Sequence, residues 1–164
     1  MGRTARGSTP LRSAGFTLVE AVVLISILGI LGAVAAPRFL SLSELEAARA
    51  HRQALSDLRY AQHQAAGSGC PVEVDFEAGG YRMRQRSTCR NGAFDRELVD
   101  PATRVAPFVV RLPDGVGLSA SVDPIVFDAL GRLTRPDGTT TNLVVQVGGR
   151  SLEGVGETGF VRAP

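Results

Sequence analysis

The stretch Ser13–Leu40, SAGFTLVEAVVLISILGILGAVAAPRFL, decides how this chain is read. From Phe16 to Ala36 it holds 21 residues, and Glu20 is the only ionisable one among them. About 20 apolar residues are enough to cross the hydrocarbon core of a bilayer. A carboxylate at that depth is costly, so it needs a partner or a purpose.

Arg3, Arg6 and Arg12 precede the run with no acid among them. Three readings of this N-terminus compete. A secretory signal has a shorter apolar core and a small-residue cleavage site, for which AVAAP (33–37) would pass. A plain single-span anchor fits the length but leaves Glu20 without a role. For a span, the Arg-rich side stays cytoplasmic and everything after Leu40 faces outward.

The third reading accounts for Glu20. GFTLVE (15–20) followed by an unbroken apolar helix resembles the class III signal of type IV pilins and type II secretion pseudopilins. The resemblance implies a leader over 1–15, cut by prepilin peptidase between Gly15 and Phe16, with N-methylation of Phe16. It implies a transmembrane helix over 16–37. Glu20, fifth in the mature chain, would pair there with the N-terminal amine of a neighbouring subunit. The physics agrees, because a buried carboxylate needs a cation and an exposed amine supplies one. Pro37 matches a proline that kinks pilin helices about six turns in. The implied partners are other pilin or pseudopilin subunits, prepilin peptidase, the inner-membrane assembly platform and membrane lipid. The implied location is the bacterial inner membrane, single-pass, with the head in the periplasm or built into a pilus or pseudopilus.

Beyond Arg38 the pattern becomes amphipathic. Leu42, Leu45, Ala48, Leu55, Leu58, Ala61 and Ala65 recur at helical spacings, with Arg49, Arg52, Asp57 and Arg59 between them. Ser43 with Glu46 would form a capping box if the helix restarted there. A continuous helix over 16–66 is the preferred reading, roughly 75 Å long at about 1.5 Å per residue. Its part 38–66 is an amphipathic stalk, and GSG (67–69) stops it. His51 and His63 have no metal-ligand spacing and read as helix-surface residues.

CPVEVDFEAGGYRMRQRSTC (70–89) alternates with period two on either side of Gly79-Gly80. A Gly-Gly two-residue turn predicts a hairpin. In that register Phe76 faces Met83, Val74 faces Gln85, Val72 faces Ser87 and Cys70 faces Cys89. The other face pairs Glu77 with Arg82, Asp75 with Arg84 and Glu73 with Arg86. The two cysteines are thereby opposed, within reach of a disulfide. Residues 90–107 read as a loop. Further strands are expected at Phe108–Leu112, Gly117–Val122, Ile125–Phe127 and Asn142–Val147, with one or two short ones in the tail. The fold class is α+β: a long N-terminal helix on an antiparallel all-β head over 67–164.

IVFDALGRL (125–133), the β run after it and GETGFVR (156–162) resemble the carboxy-terminal half of the GspH/FimT group of minor pseudopilins. LRYAQHQAAGSGCPVEV (58–74) resembles the corresponding region of the minor pilin MshC of the mannose-sensitive haemagglutinin pilus. The resemblance implies a minor subunit that helps to initiate or cap fibre assembly. The alternative is a FimT-like subunit whose head grips DNA.

All 18 basic residues are Arg. Without the leader, 15 Arg stand against 16 Asp and Glu, so the mature chain carries −1 and no overall basic footprint. Arg132, Arg135, Arg150 and Arg162 would have to gather on one surface to make a DNA patch. No catalytic set, phosphate loop or metal-ligand spacing stands out, so neither an enzyme nor a cofactor is expected. Membranes from cells with prepilin peptidase should contain a chain beginning at methylated Phe16, read by intact mass. A chain beginning near Pro37 would instead make the segment a secretory signal.

Overall fold

The computed structural model describes residues 17–164, and of residues 33–42 it describes the backbone without the side chains. The chain divides after Phe39 into two compact units, the second being Leu40–Pro164. Helix α1 spans Leu18–Ser68, 51 residues. Thr17 caps it: its Oγ1 accepts the Glu20 N–H at 3.2 Å, and its carbonyl accepts the first helical bond from Ala21 at 3.1 Å. Threonine at N-cap with glutamate three residues on is the capping-box pattern, and such a cap contributes about 1 kcal/mol. Ser43 and Glu46 lie inside α1, so the helix does not restart there. Gly69, in the left-handed region at φ 66°, ends it as the GSG stop predicts.

Ten short strands follow, all paired antiparallel. They are β1 (Val72–Glu77), β2 (Gly80–Gln85), β3 (Arg96–Glu97), β4 (Phe108–Arg111) and β5 (Leu118–Ala120). Then come β6 (Ile125–Phe127), β7 (Leu133–Thr134), β8 (Leu143–Val147), β9 (Arg150–Gly154) and β10 (Val161–Arg162). One sheet has the order β3-β2-β1-β6-β7, with β4 also on β2; the other has the order β10-β9-β8-β5. The expected strands at 108–112, 117–122, 125–127 and 142–147 are all present, the one at 125–127 with its expected bounds and the others trimmed at their ends. β3 and β7 were not anticipated: two residues each give too short an alternation to read.

The β1–β2 hairpin corrects the predicted register by two residues. Val72 faces Gln85, Val74 faces Met83, Phe76 faces Tyr81, Glu73 faces Arg84 and Asp75 faces Arg82. Ala78 and Gly79 form the turn, and Gly79 alone takes the left-handed conformation, at φ 86°. Gly80 belongs to the strand. There it pairs with Arg111 of β4, and a Cβ on it would overlap the Val110 carbonyl oxygen. Its glycine is needed for close approach, not for the turn. A shift of two keeps every side chain on its predicted face, so Val72, Val74 and Met83 are still buried. Burying such a side chain contributes about 1.5–3 kcal/mol, against at most about 1 kcal/mol for an exposed ion pair. Packing therefore outranks the expected charge rungs. Of these, Arg84–Asp75 survives as a diagonal pair at 3.4 Å beside Arg84–Glu73 at 3.1 Å.

The Cys70–Cys89 disulfide forms, but not because the cysteines face each other across a ladder. β2 ends at Gln85, and the chain then bends, with Ser87 N–H bonded to the Ala93 carbonyl at 2.9 Å. That bend carries Cys89 back to Cys70.

From Leu40 on, α1 packs on the sheets through Ala50, Ala54, Leu58, Ala61 and Ala65, all buried. The predicted stripe is thus right from Leu58 on and displaced before it: Leu45 is exposed and Leu55 only partly buried. Small side chains let backbone come close, as where Ala47 lies against Gly148. Polar groups latch the helix to both sheets. His51 is buried, correcting the surface reading, and its Nε2–H donates to the Ser151 carbonyl of β9 at 3.0 Å. The buried Asp57 accepts the Tyr81 hydroxyl of β2 at 2.6 Å. Gln62 Nε2 donates to the carbonyls of Thr158 at 2.8 Å and Gly131 at 3.3 Å. His63 stays exposed, as predicted.

Burial pushes the Asp57 carboxyl above its ordinary value, with the Tyr81 hydroxyl bond opposing. Burial likewise raises Glu73, against the pull of Arg84. With the folded value raised, the folded chain holds a proton that the unfolded chain has released. Stability therefore falls as pH rises from the unfolded value, about 4, through the folded one. Asp57→Asn should flatten that slope, so that the variant gains on wild type as pH rises above about 4. Urea titrations of the full chain in detergent at several pH values would check it. Cys70→Ser with Cys89→Ser should cost about 3 kcal/mol in the same titrations, since a loop with 18 intervening residues is released. Reductant should do the same to wild type and nothing to the variant.

Candidate assembly site

From Leu18 to Leu31 the large apolar side chains are exposed, including the consecutive Val22, Val23, Leu24 and Ile25, which point to all sides of the helix. A helix apolar all round requires lipid or other protein about it. Ser26 fits that medium, since its Oγ donates to the Val22 carbonyl at 2.7 Å and needs no water. Among the described residues, no helix is long and apolar enough to cross a membrane. Only Thr17–Gly32 of the apolar run is described with its side chains, short of the roughly 20 residues a span needs.

Glu20 sits in the first turn of α1, exposed, where the helix dipole favours a negative charge. Its backbone N–H is taken by Thr17, and no ion pair to its carboxylate occurs among the described residues. The Thr17 cap was missed in the sequence, although Thr-Leu-Val-Glu is a legible signal for it. Gly15 and Phe16 lie outside the described residues. Pro37 falls within the bounds of α1, and its side chain lies outside the described ones.

The four arginines that a DNA patch would need are divided. Arg132 pairs with Asp128 at 2.8 Å and Arg162 with Glu153 at 2.9 Å. Arg132 and Arg135 line one cleft together with Arg86, whereas Arg150 lines a different one.

The model of the family described as "Type II transport protein GspH" matches residues 50–155. This chain belongs to the GspH family. The match starts at Ala50, where the buried face of α1 begins, and runs through β9. Among solved structures, the minor pseudopilin EpsH from the type 2 secretion system of Vibrio cholerae superposes with a TM-score of 0.55. Identity is 14%, over 73% of this chain and 96% of that one, a likeness of fold. No curated protein matches. Membership of the GspH family accords with a structural, non-enzymatic role. α1 with two antiparallel sheets is thus a fold shared with that minor pseudopilin.

One feature of this head was not read from the sequence. Arg49, Arg52, Ser56, Arg59 and His63 follow at intervals of three and four, so they share an exposed stripe of α1. The signal was present, but the arginines register only as polar interruptions of an apolar pattern.

Proposed function

We propose that this GspH-family chain is a minor pseudopilin of a type II secretion system, held in the bacterial inner membrane by its N-terminal helix with its head in the periplasm. It assembles with other pseudopilin subunits and helps to start or cap the pseudopilus. The observation that carries the reading is Glu20, a single carboxylate on a helix whose other side chains through Leu31 are overwhelmingly apolar and exposed. Such a residue makes sense where a cation is delivered to it inside an apolar medium. In this reading prepilin peptidase cuts between Gly15 and Phe16, and a neighbouring subunit's methylated N-terminal amine is that cation. A type II system is preferred to a mannose-sensitive haemagglutinin or other type IV pilus because the family matched is one of type II transport. The pairing of Arg132 and Arg162 with carboxylates counts against the DNA-gripping alternative.

Glu20→Ala should leave cleavage and membrane insertion intact, since the residue lies beyond the cut and its loss makes the helix more apolar. Incorporation should fall sharply, because an unpaired buried charge costs about 3–5 kcal/mol. The measurement compares processed protein in membranes with subunit recovered in crosslinked or sheared complexes. Normal incorporation of the variant would remove the charge-pairing role, and loss of processing would place Glu20 in an earlier step.

A further inference from the structure

The exposed stripe of α1 holds a groove of about 480 Å³ lined by Arg52, Leu55, Ser56, Arg59, Tyr60 and His63. No carboxylate lines it. Two of its walls are held in place. The Tyr60 ring stacks on Phe108 with centroids 5.9 Å apart, and its hydroxyl donates to the Val99 carbonyl at 3.3 Å. Arg59 donates from Nε to the Val161 carbonyl at 3.0 Å, and its guanidinium carbon lies 5.8 Å from the centre of the half-exposed Phe160 ring. That leaves the terminal nitrogens of Arg59 directed by a fixed Nε. Neither Arg52 nor Arg59 makes an ion pair among the described residues, whereas Arg84, Arg132 and Arg162 all do. Two guanidinium groups, one of them pre-oriented, thus flank an apolar floor of Leu55 and Tyr60.

This chemistry selects its occupant. Guanidinium forks recognise carboxylates through paired N–H···O bonds, and an oriented fork loses less side-chain entropy on doing so. The apolar floor adds area that a phosphate backbone would not use. A nucleic acid would need a longer row of unpaired cations, since its affinity grows with the number of phosphates neutralised. Resting on the pseudopilin reading above, we propose that this groove docks an acidic segment of a neighbouring pseudopilin subunit, with Arg52 and Arg59 pairing to its carboxylates.

The test places a photo-crosslinking amino acid at Ser56 in the full-length chain, expressed in cells with the complete secretion system. A second position, Leu24 in the apolar segment, reports on assembly independently of the groove. The expected result is a Ser56 adduct to another pseudopilin whose crosslinked peptide contains Asp or Glu. Its yield should fall about tenfold or more with Arg52→Glu plus Arg59→Glu, since like charges then face each other. Changing the mapped carboxylate to Arg should restore it. Arg52→Glu alone should lower the yield several-fold; its side chain is exposed and unpaired, and retention of the Cys70–Cys89 bond verifies the head. The proposal is overturned by an adduct to nucleic acid, to a second copy of this chain or to a peptide without acids. It is equally overturned by a yield that ignores charge reversal, or by no Ser56 adduct while Leu24 still captures pseudopilins. Absence of pseudopilin adducts from both positions would overturn it together with the pseudopilin reading.

Discussion

Everything in the head depends on how closely the second half of α1 can approach the two sheets. Ala50, Ala54, Ala61 and Ala65 present a face with almost no side-chain bulk, and Leu58 is the large apolar residue buried among them. Large side chains come from the sheets instead: Phe108, Phe127, Met83, Ile125 and Leu152 fill the space. This division keeps the packing dense, because small residues on one surface accept large ones from the other. It also places helix polar groups within bonding distance of strand backbone. His51, Arg59 and Gln62 reach carbonyls on or beside the strands of the head, and Asp57 meets Tyr81. For the buried His51, Asp57 and Tyr81, such a bond satisfies a group that burial would otherwise penalise by about 1–3 kcal/mol.

The helix therefore has three surfaces with different physical duties. Its first turns are apolar all round and carry one carboxylate. Its later turns are small and buried on one side, cationic and exposed on the other. In the pseudopilin reading, the first surface meets lipid and neighbouring helices, the second builds the head, and the third remains available to a partner. Contact with both sheets orients the third surface, since the latches that hold Arg59 and Tyr60 come from β10 and from the segments around Val99 and Phe108.

The hairpin illustrates how far pattern reading extends. Alternation in VEVDFE and YRMRQ assigned every side chain to its face, and that assignment survived a two-residue error in register. The turn did not survive, because Gly79-Gly80 satisfies two different rules. Glycine serves left-handed turns and also close backbone approach. Only the presence of β4, nearly thirty residues later in the chain, reveals that Gly80 belongs to the second case. The disulfide was paired correctly for an incomplete reason, since local bending rather than ladder geometry brings Cys89 home.

By itself the sequence determined the features that rest on local chemistry. These are the apolar run with its lone carboxylate, the length of α1, the glycine that ends it, the strands with clear alternation and the cysteine pair. Each is written in neighbouring residues, through period, length or the demands of one backbone conformation. Tertiary structure alone decided that Ala50 and Ala54 face the core, that His51 is buried, that β2 carries both β3 and β4 on one edge, and which arginines are paired. Alanine suits a helix on any face, and an arginine's charge says nothing of where its carboxylate lies. Those properties depend on what arrives from a hundred residues away, as with His51 and Ser151, and no local pattern encodes it.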